Sequence, residues 1–304
     1  MQTFLPAADF AETARLLDSP RLGKQRVETL QILRALELPD YGWARHPAVR
    51  MWRGRTPALV AYGRAMVREW RARGFADSTD GQIAEFAPDL AGVGQAELAV
   101  AGLLPSWVGD EKLHRSHRSN LLAKDPDFYR AAFAERFGAE PDDLPYVWPE
   151  PDDVPPAPDA EGVRVWVVRP RAHGELGACL AVGVIGLGTQ SGIDVDATGL
   201  EPAELRALAR ELSGRRPAKD LRQLSALLDE VRPGAPVALP VDGGAGLLVG
   251  EVTGDYRFEG RELLPHRRSA RWSRVVPRSA VRPPATLQDP RALFSVVLDP
   301  DVIP

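Results

Sequence analysis

Over residues 21–38 the apolar positions recur at helical spacing. Leu22, Val27, Leu30, Leu33 and Leu36 share one face, and Lys24, Glu28 and Gln31 the other. This predicts a helix closed by Pro39. Arg26 falls in the middle of the apolar face, where a cation must be paired, line a cleft or snorkel at the core edge. Thr56-Pro57 predicts a second helix, with proline in its first turn, running to Arg73 and stopped by Gly74. Further helices are predicted over 95–104 and over 126–137, the latter ending at Gly138.

The second half has a different rhythm. Residues 163–169 are β-branched and aromatic and predict a strand, and 180–187 is another apolar run. Residues 202–213 and 220–230 read as helices. Then 236–240, 245–256 and 270–276 read as strands separated by Gly, Asp and Pro turns. Strands gathered around one or two helices predict a small β-barrel. Between the halves, 148–160 holds five prolines and no apolar period, the pattern of a stiff extended linker. The expected fold class is α+β: a helical domain over 1–148, a linker over 149–161 and a β-barrel domain over 162–304.

The net charge of −4 argues against indiscriminate nucleic-acid binding, but the charge is unevenly spread. Residues 43–73 contain eight arginines against one acid, Glu69. A second basic knot runs Lys112-Leu113-His114-Arg115-Ser116-His117-Arg118. Basic patches on an acidic chain suit a specific DNA surface, although solvated helix faces would carry the same cations. No apolar run approaches the ~20 residues of a membrane span, and no signal-peptide layout is present, so a cytoplasmic protein is expected. A lone cysteine, Cys179, leaves no internal disulfide and no cysteine-based zinc site. Gly186-Leu187-Gly188 with Gly192 lacks the spacing of a dinucleotide loop, and Asp194-Val195-Asp196 does not open the helix that such a loop needs. His114 and His117 stand three apart on one helix face. They suit either a metal or phosphate contacts, and the adjacent Arg115 and Arg118 favour phosphate. No metal or organic cofactor is expected, and no serine or cysteine triad can be assembled.

Residues 1–149 resemble the pyrimidine-dimer DNA glycosylase family, in a bacterial branch related to phage endonuclease V. The resemblance is carried by Arg21-Leu22-Gly23-Lys24-Gln25-Arg26-Val27-Glu28, by Tyr41-Gly42-Trp43 with His46-Pro47-Ala48-Val49-Arg50-Met51-Trp52, and by Arg71-Ala72-Arg73-Gly74-Phe75. The run from Gly109 through Asn120-Leu121-Leu122 and Pro126-Asp127-Phe128-Tyr129-Arg130 complete it. It implies a glycosylase that is also an abasic-site lyase: an N-terminal α-amine attacks the sugar C1′ and forms a Schiff base, assisted by a first-helix glutamate. An α-amine titrates near ~8, so a useful fraction is nucleophilic at neutral pH. By this resemblance Met1, Glu28 and Arg26 are the catalytic candidates. Arg21, Lys24, Gln25, Arg45, His46, Arg50, His114, Arg115, His117, Arg118 and Tyr129 are the candidates for gripping DNA around an extruded nucleotide. The sequence departs from the family twice. Gln2 is too large to permit removal of Met1, so the amine of Met1 itself would serve. The family glutamate directly follows an arginine, whereas here the turn reads Lys24-Gln25-Arg26. Glu28 therefore either takes that glutamate's place or pairs with Lys24 at i,i+4.

Residues 163–281 resemble PUA-like modules near the EVE group. The carriers are Trp166-Val167-Val168-Arg169, Val182-Gly183-Val184-Ile185-Gly186-Leu187, residues 248–256, and His266-Arg267-Arg268-Ser269-Ala270-Arg271-Trp272. Such modules imply a pocket for a flipped, modified base, and Trp166, Tyr256 and Trp272 are its candidate walls; as single aromatics they also suit a barrel core. Together these readings describe an enzyme acting on double-stranded DNA with damaged or modified bases, in repair or in restriction of modified foreign DNA. The alternative is a non-catalytic protein that binds modified DNA or RNA.

Overall fold

The computed structural model describes residues 1–155, 160–188, 193–213 and 220–302. The chain divides into two compact units, Met1–Asp159 and Ala160–Pro304. Among the described residues no helix is long and apolar enough to cross a membrane.

Unit 1 is helical: α1 (Phe10–Leu16), α2 (Ser19–Glu37), α3 (Pro47–Arg50), α4 (Thr56–Ala72), α5 (Asp80–Ala84), α6 (Gln95–Val100), α7 (Glu111–Lys124) and α8 (Pro126–Phe137). Local chemistry fixes the ends. Asp18 caps α2 by accepting from Arg21 N at 2.8 Å, Asp110 caps α7 through Lys112 N, and Asp125 caps α8 through Phe128 N. Gly138, at φ +73°, releases the chain from α8. Helices α2 and α4 meet closely at Gly63, where a Cβ would stand 2.5 Å from Thr29 Cγ2. The core beside them is aromatic: Phe10, Trp52 and Tyr62 pack together, with Trp107 edge-on to Trp52 at 4.9 Å.

The buried face of α2 differs from the expected one. Leu22, Leu30 and Leu33 are inside, but Val27 is 43% exposed, while Gln25 and Thr29 are buried. The described part of the proline-rich segment, up to Pro155, is laid against unit 1. Arg50 pairs with Glu150, Arg55 and Ser106 hold Asp152, and Val154 lies over Gly54. Residues 156–159 of that segment lie outside the described residues.

Unit 2 contains β1 (Val163–Val168), α9 (Glu175–Val182), β2 (Val184–Leu187), α10 (Pro202–Ser213), α11 (Asp220–Asp229), β3 (Pro236–Val241), β4 (Gly246–Val252), β5 (Arg257–Phe258), β6 (His266–Pro277) and β7 (Leu293–Leu298). The strands pair in the order β2-β6-β4-β3-β1-β7, with β5 on β6; β1 runs parallel to β3 and the other pairs are antiparallel. The expected barrel is therefore corrected: among the described residues the sheet has two ends and does not close. Side chains alternate along β1. Val165 and Val167 enter one core with Val249 and Phe294. Trp166 and Val168 enter the other, beneath Leu205, Leu224 and Leu227 of α10 and α11. In the glycine-rich stretch, Gly186 permits strand pairing, since a Cβ would stand 2.4 Å from His266 O; Gly192 lies outside the described residues.

Candidate functional site

Residues 2–7 belong to neither helix nor sheet, yet residues 3–7 are buried. Buried backbone without a ladder needs other partners, and here side chains supply them. Gln2 N donates to Glu28 Oε2 at 3.2 Å, and Gln2 O accepts from Gln25 Nε2 at 3.0 Å. Thr3 O accepts from the Tyr146 hydroxyl at 2.5 Å. Phe4 N donates to Gln25 Oε1 at 3.0 Å, and the Tyr62 hydroxyl lies 2.9 Å from Phe4 O and 2.6 Å from Gln25 Oε1. Leu5 N donates to His117 Nδ1 at 3.0 Å, and Leu5 O accepts from His114 Nδ1 at 2.8 Å. Pro6 O accepts from Arg118, and Ala7 exchanges hydrogen bonds with Thr13. The first residues are thus threaded through a sleeve of fixed polar side chains.

The two histidines are set in opposite tautomers by their partners. His114 accepts from Gly109 N on Nε2, so its proton sits on Nδ1. His117 accepts from Leu5 N on Nδ1, so its proton sits on Nε2, 3.4 Å from Val147 O. Both are neutral. Burial lowers the pKa of His114 and pushes that of His117 down to about 3. This corrects the expectation that they touch DNA: each is buried, and both nitrogens of each ring are engaged with backbone. Arg118 is likewise only 1% exposed, held by Glu140, Glu111 and Pro6 O. Tyr129 is also buried, and its hydroxyl accepts from Asp18 N. Among the described residues no group of three His, Cys, Asp or Glu is placed to hold a metal.

The threaded segment emerges at a cleft of about 370 Å³ lined by Gln2, Phe4, Pro20, Arg21, Lys24, Gln25, Glu28 and Lys124. Glu28 Oε2 also accepts from Gln25 Nε2 at 3.3 Å, and no ion pair joins Glu28 to Lys24 among the described residues. His46 caps α3 by accepting from Ala48 N at 3.1 Å. Burial lowers its pKa, the N-terminal ammonium lowers it further, and Glu28 opposes both. His46 thus feels the charge of both the α-amine and Glu28. Burial also raises the pKa of Tyr62 and of Tyr146, with the Glu28 carboxylate adding to the shift in each. An aromatic file continues outward: Tyr146 lies 4.2 Å from Trp148, Trp148 stands edge-on to His46 at 5.9 Å, and His46 stands edge-on to Trp43 at 5.7 Å.

Arg26 does not line this cleft. Its guanidinium pairs with Asp77, whose side chain is fully buried, and lies 4.3 Å over Trp70. The expected catalytic part for Arg26 is corrected to that of a packed ion pair. Most of the basic run is also neutralised. Of its eight arginines, Arg50, Arg55, Arg64, Arg71 and Arg73 pair with acids. Arg45, Arg53 and Arg68 have no partner among the described residues. Arg21 bonds Asp18, Lys24 is exposed, and Arg115 pairs with Glu140. Sequence reasoning missed Tyr62, Tyr146 and Trp148. The signal was present for the last two, because two aromatics at the mouth of a proline-rich segment are costly to leave in water.

In unit 2 the three expected pocket walls all belong to or pack against one core cluster. Trp166 is 8% exposed and belongs to the core, which corrects its assignment. Trp272 donates from Nε1 to Cys179 O at 3.0 Å. Tyr256 bonds His266 Nδ1 at 2.7 Å and lines a cleft of about 340 Å³ with Arg268, Asp229 and Asp255.

A search of curated proteins finds no match to the chain. The stretch that supplies Gln25, Glu28, His46 and Tyr62, residues 1–82, matches the family model described as pyrimidine dimer DNA glycosylase.

Proposed function

We propose that unit 1 is a DNA glycosylase with abasic-site lyase activity. The α-amine of Met1 is the nucleophile and Glu28 its carboxylate partner. The observation that carries this reading is the grip of Glu28 Oε2 on Gln2 N at 3.2 Å, one residue from the α-amine, in a cleft lined also by Lys24, Arg21 and Lys124. The match of residues 1–82 supports the glycosylase part of this reading. The free amine bonds to C1′ as the bond from C1′ to the base nitrogen breaks. The departing base carries away the electron pair and is protonated. The nitrogen then loses a proton, and its electron pair opens the sugar by expelling O4′, which takes up a proton, to give an iminium; loss of a C2′ proton from that iminium expels the 3′ phosphate. Glu28 stabilises positive charge developing on the sugar and relays the proton. Lys24, Arg21 and the unpaired Arg45 supply phosphate contacts, and His46, Arg50 and Arg115 are further candidates for them.

Unit 2 is proposed as a PUA-like reader of modified bases, with Tyr256 and Trp272 as its aromatic residues, and duplex DNA with damaged or modified bases as the shared ligand. The roles this suits are repair or restriction of modified foreign DNA. Borohydride trapping on duplex DNA bearing an abasic site tests the enzyme. The expected result is a covalent adduct with the full chain, lost when the α-amine is acetylated and sharply reduced in Glu28→Gln. No adduct with the unmodified chain sinks the lyase reading. Absence of base release from modified duplexes sinks the glycosylase reading and leaves a binding protein.

A further inference from the structure

Among the described residues Trp43 is the most exposed aromatic of unit 1, at 66%, and its backbone lies at φ +76°. A bulky side chain in the left-handed region is a genuine outlier, and such strain persists only where surrounding structure holds it. Here the hold is visible. His46 N donates to Trp43 O at 2.8 Å, closing a turn, and the indole meets the His46 ring edge-on. Behind His46 stand Trp148 and Tyr146, the latter bonded to Thr3 O. An indole is therefore held out in water on a strained turn, at the end of an aromatic file that begins at the threaded N-terminal segment. Folding gains little from this, since the ring buries little of itself. Arg45, two residues on, is exposed and has no partner among the described residues.

We propose that Trp43 is a stacking platform for an unstacked nucleobase, with Arg45 beside it for the adjoining phosphate. This makes Trp43 a specificity-determining residue for distorted over fully paired duplex. The proposal rests on the reading of unit 1 as a DNA enzyme. Every base has a face that stacks on indole, so the platform senses extrusion rather than base identity. A fully paired duplex offers no free face.

The experiment is fluorescence anisotropy with the full chain on two labelled duplexes of one sequence, one fully paired and one carrying a single unpaired base. Trp43→Ala is expected to weaken binding to the second by about 5- to 150-fold, the equivalent of ~1–3 kcal/mol of stacking, and to change the first by less than about twofold. Trp43→Phe, which keeps an aromatic face, is expected to recover most of the loss. Equal loss on both duplexes, or loss on neither, overturns the platform. Borohydride trapping of the unsubstituted chain runs alongside. Trapping with no effect of Trp43→Ala removes the platform alone, whereas neither trapping nor DNA binding removes the enzyme reading and the platform with it.

Discussion

Glu28 Oε2 accepts a hydrogen bond from the backbone N–H of Gln2 at 3.2 Å, joining the middle of the longest helix to the start of the chain. The same oxygen accepts from Gln25 Nε2, so the carboxylate is fixed twice on one side. Its Oε1 has no protein partner among the described residues. A carboxylate held by one oxygen and open at the other positions a neighbour and still acts on a substrate. Glu28→Gln separates these duties, because an amide oxygen still accepts from Gln2 N but carries no charge. The variant is expected to melt within a few degrees of the parent while trapping or base release in single-turnover assays falls by roughly 100-fold or more. Equal activity of the two would remove Glu28 from the chemistry.

Gln25 has a different duty. Its amide joins Gln2 O, Phe4 N, Tyr62 and Glu28, four groups from three parts of the chain. Gln25→Ala strands several buried polar groups at once. The expected cost is roughly 2–4 kcal/mol in urea unfolding, since each unsatisfied buried group costs ~1–3 kcal/mol and some relax onto water. The amine is also freed to wander, so activity is expected to fall more steeply than the folded fraction measured under the same conditions. Tyr62→Phe removes only the hydroxyl and is expected to cost about 1 kcal/mol.

Much of the helical framework was legible because its signals are local. Asp125, Pro126 and Gly138 bracket α8, and Thr56-Pro57 with Gly74 bracket α4, within a residue or two of the expected limits. The face of α2 was not legible. Gln25 and Thr29 are polar by type and buried by contacts with residues distant in sequence, while Val27 is left 43% exposed. His114, His117 and Arg118 read as a DNA-facing knot because their partners, Leu5, Pro6 and Glu140, lie far from them in the chain. The arginine-rich run misled in the same way: apart from Glu69, which pairs with Arg73 inside the run, its acids Asp80, Glu150 and Asp152 come from other segments. A helical wheel shows which residues share a face, not what that face meets.

The neutral histidines link stability to pH. His117 holds its pKa near 3 in the folded chain against about 6.5 when unfolded, so below about pH 6.5 the unfolded chain binds a proton that the folded chain refuses. The stabilisation is complete above that pH and is lost as pH falls toward 3, by up to about 1.4 kcal/mol per pH unit through this residue. His114, lowered in the same direction, adds to the slope. The urea midpoint is expected to drop between pH 7 and pH 5. In His117→Asn, whose side-chain oxygen still accepts from Leu5 N but does not titrate, the drop is expected to be visibly shallower. Parallel slopes for the two chains would contradict the neutral, proton-refusing state of His117 in the folded chain.

Arg26 and Asp77 make the last expectation, one of stability without chemistry. The Asp77 side chain is buried and accepts from Thr79 N, Thr79 Oγ1 and Asp80 N as well as from Arg26. Those bonds hold its pKa below the ordinary carboxylate range in spite of burial. Arg26 lies between this carboxylate and the Trp70 ring, which is itself stacked on Phe75 at 4.1 Å. Removing the acid alone leaves the guanidinium nearly buried and unpaired, so Asp77→Ala is expected to cost roughly 3 kcal/mol or more. Removing the cation with Arg26→Met keeps the contact with Trp70, and the carboxylate keeps its three other donors, so the loss is expected to be smaller, about 1–2 kcal/mol. Because Arg26 faces Asp77 and not the cleft at Glu28, Arg26→Met is expected to trap abasic DNA at nearly the parental rate wherever it remains folded. A loss of trapping in folded Arg26→Met, judged by unchanged circular dichroism and a cooperative melt, would return Arg26 to the chemistry.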